Sequence, residues 1–167
     1  MQLLVRKINR AKWDQNNICE GESPSGDAIT IDLRTKNNTL SIWEINSEDE
    51  IEDAVLALTV AGDTLNTIDI VIFNADQLRT EDLNVENSKG HTIYTGFADR
   101  HRDLTELDYK SLGTFARIII DSLKCKNVKR FTVSKLKGIL KNGLDANKIS
   151  IESLNEGLRK KLKLQLI

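Results

Sequence analysis

The sequence predicts an α/β or α+β domain: a mixed sheet containing a strand–helix–strand crossover, followed by a helical, basic C-terminal region. Three observations carry that prediction. Residues 40–73 read as strand, helix, strand; the residues before them supply further short runs of strand length; and from Thr105 onward the apolar residues recur at helical spacing.

The crossover is the best-specified part. Leu40–Ile45 is rich in β-branched and aromatic residues and gives way abruptly to polar Asn46–Glu50. Ser47 with Glu50 has the form of a capping box, and Glu48 and Asp49 place negative charge where a helix dipole is positive. Ile51, Ala54, Val55 and Leu58 then form one apolar stripe, and Gly62 stands where a left-handed cap would end the helix. Ile68–Phe73 ends in an unbroken apolar run, as in a strand covered on both faces. Two strands joined by a helix form most simply a right-handed parallel crossover.

The other elements follow in chain order. Gln2–Ile8 is a first strand, with 9–17 either its continuation or a helical turn around Trp13. Residues 20–26 hold the only proline and form a loop, whose two carboxylates and lack of lysine exclude a phosphate-binding P-loop. Ala28–Arg34 alternates, with Ile29, Ile31 and Leu33 on one face, and Asn37 and Asn38 suit a turn that makes it a hairpin with the next strand. Asp76 is placed to N-cap a short helix running to Leu83. Residues 84–103 lack a helical period, and His91–Thr95 is a candidate extra strand. Thr105 with Asp108 opens a helix burying Leu112, Phe115, Ala116, Ile119 and Leu123. A second helix, 132–142, turns Val133, Leu136 and Leu140 inward and closes at Asn142–Gly143; Ser150 caps a third, bearing Leu154, Leu158 and Leu162.

A chain of 167 residues is long enough for one domain with a real core. Its 40% hydrophobic and 29% charged content belong to a soluble globular chain, and no apolar run reaches membrane-spanning length, so no membrane partner is expected. The early cations Arg6, Lys7, Arg10 and Lys12 are not followed by an apolar segment, so no secretion signal is read. Cys19 and Cys125 stand far apart without a CxxC spacing, which predicts reduced thiols and a cytoplasmic location. The charge is unevenly divided. Residues 1–121, the expected acidic α/β core, hold 12 basic and 22 acidic residues, a net of −10. Residues 122–167, the basic region expected to pack on the same domain, hold 12 basic and 3 acidic residues, a net of +9. Either the two parts neutralise each other, or one meets an outside partner of opposite charge.

Motifs narrow the chemistry. His101–Leu104 spells the start of a kinase catalytic loop but lacks the asparagine that should follow and any glycine-rich phosphate loop. Ser134–Lys137 fits S-x-x-K, but its lysines read as a solvated helix surface. The candidate catalytic residues are His91, Asp99 and His101, with Asp76 just past a strand end, because an imidazole oriented by a carboxylate carries protons near neutral pH. Their spacing matches no metal motif, and no cofactor is expected. The candidate polyanion- or partner-binding residues are Lys135, Lys137, Lys141, Arg159, Lys160 and Lys163. Phe131 is the only aromatic of that region, so base stacking is poorly supported. The expected function is that of a small cytoplasmic binding or accessory protein acting through its surface in a larger assembly, in one form an inhibitor or immunity-type partner of a basic protein. The alternatives are an enzyme acting on nucleic acid or nucleotide through the 91–103 loop, and a nucleic-acid-binding module using the lysine-rich end.

Overall fold

A computed structural model describes residues 2–13 and 24–163. Six strands, β1 (Leu3–Ile8), β2 (Leu40–Ile45), β3 (Ile68–Asn74), β4 (Val85–Asn87), β5 (His101–Leu104) and β6 (Val128–Phe131), form one sheet in the order β4-β5-β2-β1-β3-β6. Seven helices accompany them among the described residues: α1 (Arg10–Trp13), α2 (Gly26–Asp32), α3 (Ile51–Val60), α4 (Ala75–Thr80), α5 (Tyr109–Lys124), α6 (Val133–Asp145) and α7 (Glu156–Leu162). Alternation along the strands divides the apolar residues between two cores. Ile68, Ile70 and Ile72 of β3 join Val5, Trp43 and residues of α3, α6 and α7 on one face; Val71 and Phe73 join Leu4, Ile42 and residues of α1, α2, α4 and α5 on the other. The class is α with β, as expected, and helices pack on both faces of the sheet.

The crossover is present in a modified form. β2 and β3 run in the same direction, but β1 lies between them and pairs antiparallel with both. Every ladder among the described residues is antiparallel, so the sheet is not mixed. Two strand spacings, about 9.6 Å, match the roughly 10 Å diameter of a helix, so α3 sits over the gap that β1 fills. β1 suits that place because Leu4 and Ile8 are buried on one side and Val5 on the other.

Several local expectations change. Residues 28–34 are not a strand: Ser25 caps α2 by accepting from the Ala28 amide at 3.2 Å, Ala28 and Leu33 are buried, and Ile31 is 51% exposed. Asn37 and Asn38 do adopt the left-handed conformation, but their turn is closed by the single Lys36–Thr39 bridge instead of a hairpin. The Glu50 carboxylate closes back on the Asn46 amide at 2.9 Å, one residue earlier than the Ser47 capping box requires, and a 3-10 turn at Glu48–Glu50 precedes α3. Gly62 is not a left-handed cap; α3 ends at Ala61 with φ −74°. Asn74, not Asp76, caps α4: its side chain accepts from the Asp76 amide at 3.0 Å while Gln77 accepts from the Asn74 amide at 3.1 Å. His91–Thr95 forms no strand; the two strands of that region are β4 and β5. Asp108, not Thr105, caps α5, accepting from the Ser111 amide at 2.8 Å while the Ser111 hydroxyl accepts from the Asp108 amide at 2.7 Å. In the C-terminal region, expected to be helical, Val128–Phe131 forms the strand β6. Val133 is 36% exposed instead of inward, α6 runs past Gly143 to Asp145, and α7 is capped by Asn155 while Ser150 pairs with Ser153 in the preceding turn. Cys125 is exposed and in no disulfide, whereas Cys19 and most of the 20–26 loop lie outside the described residues. No helix of the described residues is long and apolar enough to cross a membrane.

Candidate functional site

The antiparallel register of β5 with β2 sets His101 opposite Trp43. The imidazole is 9% exposed and meets the indole edge-on, with centroids 5.0 Å apart. Its Nδ1 lies 2.7 Å from the Ser88 hydroxyl. Phe97 stacks on Trp43 at 5.7 Å and Tyr94 stacks on Phe97 at 5.7 Å, so the 88–100 segment folds down as an aromatic cover. Gly90 passes so close beneath it that an added Cβ would stand 2.6 Å from the indole and 2.9 Å from the His101 Cβ. The cover is tied at its far side, where the Tyr94 hydroxyl donates to Asp53 at 3.2 Å and Lys148 both pairs with Asp53 and lies over the Tyr94 ring.

Of the four sequence candidates, His91 lies within electrostatic reach of His101, while Asp76 is far from both. His91 and Asp99 are exposed, and the contact recorded for Asp99 is through its backbone carbonyl, which accepts from Arg102 at 2.7 Å. Asp76 sits beyond the end of β3, three strands from His101 (about 14 Å at about 4.8 Å per strand), and pairs with Arg79 at 2.8 Å. The arginines of the 99–103 run are held by acids outside it. Arg102 pairs with Glu44 of β2, and Arg100 reaches Glu44 at 3.6 Å and Glu50 at 3.9 Å. Among the described residues no group of His, Cys, Asp and Glu is arranged to hold a metal ion.

Burial lowers the His101 pKa below its ordinary 6.5; the carboxylate of Asp103 works in the opposite direction, while His91 and Arg102 add to the lowering. The folded protein therefore holds this ring neutral where the unfolded chain binds a proton. Its contribution to stability is complete above about 6.5 and is lost as pH falls from there to the lower folded pKa. Thermal melts across pH 7 to 5 should show this loss in the wild type, and His101→Gln should flatten that part of the profile. Equal slopes would remove His101 as its source.

A second feature escaped the sequence reading. Leu4, Arg6 and Ile8 share one face of β1, so the charge of Arg6 enters an otherwise apolar position. Its guanidinium donates to the backbone carbonyls of Ser41 and Asp32, while its Nε is buried without a hydrogen-bond partner. Burial brings the pKa of Arg6 down from 12.5 to about 10, against the opposing charge of Asp32, which leaves it charged at neutral pH. Asp32 also accepts from the Trp13 indole at 2.6 Å and the Asn9 amide at 2.7 Å. This knot borders an open cleft of about 600 Å³ also lined by Lys7, Ser41, Trp43 and Leu58. An arginine within an apolar strand was the available signal.

The basic candidates lie on the surface. Lys135, Lys137 and Lys141 of α6 and Lys163 after α7 are exposed, Arg159 is half-buried, and Lys160 pairs with Glu156 one helical turn away. Three other cations of the same region reach acids of the sheet layer: Lys129 pairs with Glu48, Arg130 with Asp69 at 2.7 Å, and Lys148 with Asp53. No family model matches the chain, and no curated protein or solved structure is similar to it.

Proposed function

We propose that this is a cytoplasmic binding or accessory protein that acts through its surface in a larger assembly, and that the cations of α6 and α7 are its contact with an acidic protein partner. The supporting observation is the division of labour within the basic region. Lys129, Arg130 and Lys148 are spent on Glu48, Asp69 and Asp53, whereas Lys135, Lys137 and Lys141 are exposed and form no ion pair among the described residues. Lys137 and Lys141 are also one helical turn apart, where like charges weaken a helix by a few tenths of a kcal/mol. A facing carboxylate would offset that cost. Phe131, the one aromatic of the region, is 8% exposed and belongs to the core, which favours a protein over single-stranded nucleic acid read by base stacking.

The test uses two baits in lysate of the native host, each with and without nuclease treatment: the wild type, and a variant carrying Lys137→Glu, Lys141→Glu, Lys160→Glu and Lys163→Glu. A specific protein should be retained by the wild type at low salt, released as salt rises, and missing from the variant. Identical retention on both baits would end this reading, and retention that disappears with nuclease would move it to nucleic acid.

A further inference from the structure

The sheet ends in two strands whose outer edges pair with nothing among the described residues, β4 and β6. Exposed strand edges are templates for pairing, and natural proteins protect them with charge and short length. Here the two edges carry opposite signs. Asp82, Glu86 and Glu106 surround β4 and are all exposed, with Lys89 the cation at its far end. Lys124 and Lys126, in the approach to β6, and Lys135 beyond its end are exposed as well. The cations within β6 are already engaged, Lys129 with Glu48 on one face and Arg130 with Asp69 on the other. All three residues of β4 are exposed, including the apolar side chain of Val85 at 39%.

We propose that these edges bind each other in different copies of this chain, β6 of one molecule adding to β4 of the next. Charge selects this pairing from the three available. A β4–β4 contact would bring together the carboxylates flanking β4 and a β6–β6 contact the lysines flanking β6, and like charges repel; only β4–β6 brings opposite signs together. The contact is head-to-tail, so nothing closes it at two copies and the assembly grows with concentration. A ladder of three or four residues buries little surface, which makes the association weak and strongly salt-dependent. Its test is separate from that of the α6–α7 contact, since reversal at Lys124 and Lys126 leaves Lys137, Lys141, Lys160 and Lys163 unchanged.

Sedimentation velocity on the full chain tests this, with reductant present because Cys125 is exposed beside Lys124 and Lys126. At low salt the mean mass should at least double and continue to rise with protein concentration. At about 1 M salt, where the Debye length is about 3 Å, it should return to the 18.8 kDa monomer. Lys124→Glu with Lys126→Glu should give a monomer, as should Asp82→Lys with Glu86→Lys. Mixing the two variants should restore association, because one then carries two acidic edges and the other two basic ones. Amide exchange should slow at Val85–Asn87 and Val128–Phe131 on association. A wild type that stays monomeric at low salt overturns the proposal, whether or not it binds an added acidic peptide or oligonucleotide. Association that survives both reversals, or protection that maps to α6 and α7 instead, overturns it equally.

Discussion

Leu56→Ala should lower stability by roughly 2–5 kcal/mol, the usual cost of emptying a buried leucine site. For a chain of this size that corresponds to a fall in Tm on the order of 10 °C. Leu56 is 2% exposed and points at α6, where a Cβ added to Gly143 would stand 2.8 Å from its Cδ2. The lack of a side chain at Gly143 is what lets the two helices meet around this leucine. Leu58→Ala should cost only about 1 kcal/mol, because Leu58 is half-buried and overhangs the open cleft. Chemical denaturation of both variants checks the order. If Leu58→Ala proved the costlier, α3 would present only its single apolar stripe to the core, and its packing between the sheet and α6 would be incorrect.

Gly157→Ala should be the second large effect, from overpacking instead of a cavity. Its added Cβ would collide with the backbone carbonyl oxygen of Asp63, which no side-chain rotation relieves. Asn155 caps α7 by accepting from the Leu158 amide at 2.9 Å and donates to the Gly62 carbonyl, so the start of α7 is clamped onto the loop after α3. Overpacking costs about 1–3 kcal/mol where side chains can adjust, and a backbone contact should place this substitution at the upper end or beyond. Lys161→Ala on the exposed side of the same helix should stay within about 0.5 kcal/mol of wild type. Urea midpoints that leave Gly157→Ala level with Lys161→Ala would detach α7 from the body of the fold.

What could be read from the sequence is what local pattern alone decides. β2 is legible because it is rich in β-branched and aromatic residues and ends at a polar turn, β3 because Ile70–Phe73 is an unbroken apolar run, and α5 because Phe115, Ala116 and Ile119, all at most 2% exposed, repeat at helical spacing. Residues 28–34 were misread because seven residues satisfy both periods. Ser25 at the N-cap and Asp27 in the first turn decided for helix, and Ile31 was left outside. β6 was missed because its reason lies elsewhere in the chain. Asp69 is buried within β3, and Arg130, its partner across the ladder, grips it with two nitrogens at 2.7 and 2.9 Å. The same limit applies to the site. His91, Asp99, His101 and Asp76 are the right residue types, but only the strand order reveals that Asp76 lies three strands away and that His101 is packed under Trp43. The cations of α6 were legible as exposed because exposure follows the helical period.

On the function proposed above, the α6–α7 cations are surplus to the fold, while Lys129, Arg130 and Lys148 belong to it. The direct measurement is Tm at low and high salt for the variant carrying Lys137→Glu, Lys141→Glu, Lys160→Glu and Lys163→Glu, beside Lys148→Glu. The first should melt close to wild type at either salt, since exposed pairs such as Lys160–Glu156 contribute about 0–1 kcal/mol. Lys148→Glu should melt below it, because the reversed charge would face the Asp53 carboxylate in place of the ion pair. A fourfold reversal that itself lowers Tm sharply at low salt and recovers at high salt would contradict the account, and would make these lysines part of the protein's own neutralisation.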